Sequence, residues 1–151
     1  MTNKLFIRAY RREDEGDVVD LWIKCNLVVS SNNPEKDIER KLDVNPELFL
    51  VGFFNESLAA TCMAGYEGHR GWINYLAVAP QYRRQGVATR MMNAAEKSLK
   101  SAGCPKINLQ VRTSNKAVIQ FYESVGFSTD DVVSLGKRLV PDPPFRDDTI
   151  D

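Results

Sequence analysis

Apolar and polar positions divide the chain into a regular succession of elements. Residues 5–9, Leu-Phe-Ile-Arg-Ala, read as a short strand. Val18, Leu21, Trp22 and Cys25 recur at helical spacing and predict an amphipathic helix over residues 14–26. After a polar loop, Asn33-Pro34-Glu35 carries a helix start: a capping amide, a proline suited to the first turn, and an acid at the positive end. Ile38 and Leu42 form the buried face of this second helix, and Asn45-Pro46 ends it. Residues 48–54, 58–66 and 72–78 read as three strands joined by tight turns at Asn55-Glu56-Ser57 and Glu67-Gly68-His69-Arg70-Gly71, which predicts an antiparallel meander. A loop over residues 81–86 leads into a helix over 87–102, whose Val87, Met91, Ala94, Ala95 and Leu99 lie on one side and which Gly103 closes. A strand over 107–111, a helix over 115–125 closed by Gly126, and a last strand over 132–139 complete the pattern.

The order β-α-α-β-β-β-α-β-α-β describes one α/β (α+β) domain, a mixed central sheet flanked by helices. It spans residues 1–140. Residues 141–151 hold three prolines and four aspartates without periodicity, and are expected to form a flexible tail.

Composition narrows the function. Lys plus Arg and Asp plus Glu balance at 20 each, so no basic footprint for nucleic acid is present. No run of about 18 apolar residues exists to span a membrane, and Met1-Thr2-Asn3-Lys4 opens no secretory pattern. A cytoplasmic protein is expected. Cys25, Cys62 and Cys104 are far apart and His69 is near none of them, so reduced thiols are expected and no metal site.

The most informative stretch is Val78-Ala79-Pro80-Gln81-Tyr82-Arg83-Arg84-Gln85-Gly86-Val87-Ala88. A strand enters a tight loop that opens a helix, where unpaired N–H groups and the macrodipole favour an anion. Gly86 lets the backbone approach a ligand, Ala88 keeps the first turn slim, and Arg83 and Arg84 add charge. This suits a phosphate-bearing ligand. Neither the Gly-Lys-Ser/Thr of a P-loop nor GxGxxG is present, and no acidic metal cluster stands nearby, which disfavours nucleotide hydrolysis and dinucleotide binding.

Arg83-x-x-Gly86-x-Ala88 resembles the acyl-CoA pyrophosphate motif of GNAT acetyltransferases, and Leu76-x-Val78-x-Pro80-x-Tyr82 resembles the strand before it. Further on, Asn115, Ala117, Phe121-Tyr122 and Gly126-Phe127 resemble the second motif of the family. Asp37-Ile38-Glu39-Arg40-Lys41, the segment 65–71, Gly103-Cys104-Pro105-Lys106-Ile107 and the segment 134–139 are similar to the bacterial YpeA-type branch. The resemblance covers about residues 4–140 and excludes the tail.

The resemblance implies an acetyl-CoA-dependent N-acetyltransferase acting by direct attack of an amine. The acceptor is left open among small molecules, amino acids and peptide N-termini. Acetyl-CoA would lie against Leu76, Ala77 and Val78, the loop residues Arg83, Arg84, Gln85, Gly86, Val87, Ala88 and Thr89, and Asn115 and Tyr122. A bulge or splay near Leu76–Val78 is also implied. Tyr122 is the candidate general acid toward the CoA thiolate, and Glu67 and His69 are the candidates for the base. Asn115 combines a cap with a cofactor contact. Tyr66 and Asn74 are weaker candidates for the acceptor pocket, and Trp22 and Trp72 are expected to pack rather than bind. A homodimer is left open. The competing reading is a non-catalytic acyl-CoA sensor.

Overall fold

The computed structural model describes residues 4–145. Five strands form one sheet in the order β1 (Leu5–Ala9), β2 (Phe49–Phe54), β3 (Ser57–Tyr66), β4 (Gly71–Val78) and β5 (Ile107–Leu109). The first four are antiparallel neighbours, and β5 runs parallel to β4. Helices α1 (Glu15–Lys24) and α2 (Pro34–Lys41) cover one face, while α3 (Val87–Ser101) and α4 (Lys116–Ser124) lie on the other. The mixed sheet and flanking helices agree with the fold class expected from the sequence.

Two apolar clusters follow from the strand alternation. On the α3 side, Leu50, Phe54, Cys62, Ala64 and Ile73 pack against Val87, Met91, Met92, Ala95 and Leu99. On the α1–α2 side, Phe49, Val51 and Met63 pack against Val18, Val19, Trp22 and Ile38. Gly52 is a steric requirement of the first cluster: a methyl group there would stand 2.9 Å from the Met91 sulfur. The start of α2 is built as its sequence predicts, with the Asn33 side chain accepting from the Lys36 N–H at 3.1 Å and Pro34 in the first turn.

Three expectations are corrected. Residues 132–139 form no strand, and Val132, Val133, Leu135 and Leu139 are 78%, 83%, 91% and 85% exposed. A strand needs a paired edge, and β5 is only three residues long; the side-chain links run between residues flanking it, with Gln110 donating to Ser134 and Lys106 pairing with Asp130 at 2.6 Å. Trp72, expected to pack, is 37% exposed, joins neither apolar cluster and lines the groove beside β5. The third concerns the tail, whose first residues are docked. Phe145 is 3% exposed in the α1–α2 cluster. Asp142 accepts from Arg40 and from Arg138, the latter at 2.9 Å, and from the Asn33 N–H at 3.2 Å. The remainder of the tail, residues 146–151, lies outside the described residues.

Phe145→Ala should therefore cost about 1.5–3 kcal/mol, the transfer term alone, because a segment whose neighbouring residues are exposed undocks instead of leaving a cavity. Urea denaturation checks this; a midpoint equal to that of the unchanged chain would mean that the segment carries no stability.

Candidate active site

The decisive local feature is a bulge in β4. Met63 pairs with Asn74 and Thr61 with Ala77, so Cys62 on β3 faces both Tyr75 and Leu76 on β4. The extra residue falls at Tyr75, whose φ is 51°, a conformation costing about 1–3 kcal/mol for a bulky side chain. The bulge reverses side-chain parity. Ile73 faces the α3 cluster, yet Ala77, four residues on, faces the α1–α2 cluster.

Buried groups on the α1–α2 side hold this backbone. The Trp22 indole N–H donates to Thr61 Oγ1 at 2.9 Å, and the Thr61 hydroxyl donates to the Tyr75 carbonyl at 2.8 Å. The Tyr75 ring stacks on Trp22 with centroids 3.7 Å apart and planes 13° apart. Its hydroxyl donates to Asp37 at 2.6 Å and accepts from the Asn32 amide. Burial, reinforced by the bond to Asp37, raises the Tyr75 phenol pKa well above its ordinary value.

The second feature is a splay. β4 pairs with β5 only through Gly71, Trp72 and Ile73, against Ile107, Asn108 and Leu109. Beyond Ile73, no strand among the described residues pairs with the outer edge of β4, which runs on through Leu76, Ala77 and Val78. A short turn, Pro80–Tyr82, carries the chain from there to Gly86 and α3.

Gly86 has φ 76° and nothing within 4 Å of the position where a side chain would begin. No side chain caps α3; the first helical bond runs from the Arg90 N–H to the Gly86 carbonyl at 3.1 Å. The N–H groups of Val87, Ala88 and Thr89 take no partner among the described residues, which makes this a ready anion seat. Of the two loop arginines, Arg83 turns back, donating to the Val78 carbonyl at 3.2 Å and to the Cys25 sulfur at 3.5 Å. Arg84 and Gln85 are exposed, and Arg84 has φ 62°.

Tyr122 is 8% exposed on α4, in edge contact with Phe121 and Phe127 at 5.1 and 5.5 Å. Its cluster also includes the partly buried Leu76 and Val78, and a groove of about 1000 Å³ beside β5 reaches it. Burial, with a smaller contribution from Cys62, raises its phenol pKa. Asn115 caps α4, accepting from the Val118 N–H at 3.4 Å. Leu76 and Val78 thus share one apolar cluster with Val87 of the α3 start and with Tyr122.

Glu67 and His69 are elsewhere. Both are exposed at the β3–β4 turn, and Tyr75 is five residues along β4 from Arg70, roughly 16 Å at an extended rise. The Glu67 carboxylate accepts from the N–H groups of Arg70 and His69, the latter at 2.6 Å; these bonds tie the turn and lower its pKa. Tyr66 donates to the carbonyls of Gly68 and Gly103 at 3.0 and 3.2 Å and fixes the same turn. Asn74, by contrast, lines a cleft of about 570 Å³ with Asn32, Asp37, Arg40, Lys41 and Tyr75.

The model of the acetyltransferase (GNAT) family matches residues 15–127. The chain belongs to the GNAT acetyltransferase family. Proteins named acetyltransferase in Yersinia pestis and Pectobacterium atrosepticum are 45% and 46% identical over 139 residues, covering 92% of this chain and 99% of each relative. The solved structure of AAC(6')-Iy in complex with the bisubstrate analog CoA-S-monomethyl-acetylneamine superposes with TM-score 0.70 at 16% identity, over 89% of this chain and 99% of that one. It shares the fold.

Within this GNAT acetyltransferase, sequence reasoning found the loop and missed Thr61, Tyr75, Asp37 and Lys41 as a group. The parity break that gathers them leaves no mark in the alternation of Ile73, Tyr75 and Ala77. No helix among the described residues is long and apolar enough to cross a membrane, and no group of three or more His, Cys, Asp or Glu among them suits a metal.

Thr61→Val keeps the shape and removes both hydroxyl bonds, leaving the buried Trp22 N–H unpaired. A loss of about 1–3 kcal/mol is expected in urea denaturation, with a change in Trp fluorescence as the stack on Tyr75 loosens. Unchanged stability would show that the bulge does not depend on this pair.

Proposed function

We propose that this acetyltransferase takes its acetyl group from acetyl-CoA and delivers it to a primary amine. The observation that carries the reading is the uncapped start of α3, with Gly86 open to solvent, directly downstream of the unpaired edge of β4. That combination offers N–H groups to a pyrophosphate and an extended backbone edge to pantetheine, as an added strand would use it. Arg84, Gln85 and Asn115 flank the path, and the backbone of Leu76, Ala77 and Val78 borders it. The CoA-analog complex of a protein with the same fold supports the choice of donor.

In this reading the thioester carbonyl sits at the bulge, where a ladder interruption makes backbone donors available to the developing oxyanion. The neutral amine attacks the carbonyl carbon, the tetrahedral intermediate collapses, and the carbon–sulfur bond breaks. The attacking nitrogen loses its proton to water in the open cleft, since Glu67 and His69 stand at the far turn. The departing thiolate takes a proton or a hydrogen bond from Tyr122. With its phenol raised above about 10 and a thiol near ~8.5, Tyr122 gives up its proton only uphill. It therefore acts chiefly as a neutral donor that stabilises the leaving sulfur while water supplies the net proton.

Two variants test this. Gly86→Glu places a charge where the pyrophosphate would sit and should weaken acetyl-CoA binding at least ~10-fold in calorimetry. Gly86→Asn, which tolerates the positive φ without charge, should lose much less. Equal affinity for Gly86→Glu and the unchanged protein would remove this placement.

Tyr122→Phe keeps the ring and removes the hydroxyl. Donor help of this kind contributes ~10²–10⁴ in rate, so kcat should fall at least ~10-fold while acetyl-CoA affinity stays level. An unchanged kcat, with chemistry rate-limiting, would leave solvent alone to stabilise the thiolate.

A further inference from the structure

Lys41, at the last turn of α2, is 9% exposed and lines the cleft beside the bulge. It makes no hydrogen bond or ion pair within 4 Å among the described residues. Its neighbours differ. Arg40 is taken by Asp142 and by Asp37 at 3.3 Å, and Lys36 by Glu39 at 3.3 Å. Asp37, the carboxylate lining the cleft, is occupied by Tyr75 and Arg40. Burial lowers the Lys41 pKa, and the field of Glu47 offsets only part of that. The cost of burying an ammonium without a partner is large, and such groups are paired or functional.

The seat of this ammonium is shaped. Lys41 Nζ lies over Gly65 of β3, and a methyl group there would stand 3.2 Å away. Gly65 pairs with Trp72, three residues from Tyr75 along β4. At an extended rise of ~3.3 Å per residue, the ammonium lies roughly 10 Å from the bulge, along the floor of the cleft.

We infer that the acceptor is an amine carrying a carboxylate or similar anionic group, which Lys41 receives while the amine reaches the bulge some 7–10 Å away. This rests on the acceptor entering through the cleft beside the bulge, as the acetyltransferase reading requires. The separation is too long for the carboxylate of a free α-amino acid. At the ~1.2 Å per bond of an extended chain, about six to eight bonds part the two groups. An ω-amino carboxylate of that length has the required chemistry, and so does a short peptide with its terminal or side-chain carboxylate two or three residues from the N-terminus.

The test is a ladder of straight-chain ω-amino carboxylates, each paired with the neutral alkylamine of the same length, assayed with acetyl-CoA by free CoA release. Short peptides with an acidic second or third residue form a second arm, which separates the two sources of the same chemistry. The unchanged protein should prefer the carboxylate of optimal length over its neutral partner at least ~10-fold in kcat/KM, mostly through KM. Lys41→Met should bring that ratio near one, and Lys41→Arg should keep most of it; both should bind acetyl-CoA as before. Equal turnover of neutral amines by the unchanged protein, or a preference that survives Lys41→Met, overturns the inference and leaves the transferase reading intact. Failure to turn over any amine, in a protein that binds acetyl-CoA, removes both.

Discussion

The left-handed backbone at Tyr75 governs the rest of the site. A bulky side chain in that conformation persists only where its surroundings over-determine it. Here they do so on three sides: the Trp22 stack, the Thr61 hydroxyl on the carbonyl, and Asp37 with Asn32 on the phenol. Each partner comes from a different part of the chain, so α1, α2 and β3 must all be in place before β4 can bend. The bend then fixes which side chains of β4 look toward the helices of each face. Ile73 is committed to one cluster and Ala77 to the other.

This bend also divides labour across the sheet. The proposed phosphate seat belongs to the end of β4 and the start of α3. The cleft with Asn74, Tyr75, Asp37 and Lys41 belongs to the α1–α2 side. The two meet only at the bulge, where the backbone is shared. In the proposed reading, donor and acceptor approach one carbon from separate entrances, so the two ligands do not compete for space.

Much of this was legible in residue order. The three-strand meander, the capped starts of α2 and α4, and the loop ending in Gly86 follow from local rules of spacing, capping and glycine freedom, and local rules survive folding. What was illegible is non-local. No pattern in Ile73-Asn74-Tyr75-Leu76 announces a parity flip, because the bulge is imposed by Thr61 and Trp22. Glu67 and His69 attracted a catalytic reading by residue type, and residue type could not say that the hairpin sets them at the opposite end of β4 from the loop that opens α3. Val132, Val133 and Leu135 had the composition of a strand, and composition does not supply a partner edge. The proline-rich composition of the tail likewise gave no hint of Phe145, since one buried ring outweighs several polar neighbours.

The clasp between Asp142 and the start and end of α2 joins residues more than a hundred positions apart: Asn33 and Arg40 on one side, Asp142 and Pro143 on the other. Contacts of such separation close late, after the intervening loop entropy has been met by other structure. During synthesis, β1 through α3 emerge long before Asp142 and Phe145 exist. The wall of the cleft that carries Asp37 and Lys41 therefore lacks its outer brace until Asp142 and Pro143 have been made. A nascent chain that stops short of Asp142 would already hold the loop ending in Gly86, while the start and end of α2 would still lack the bonds that Asp142 and Pro143 supply.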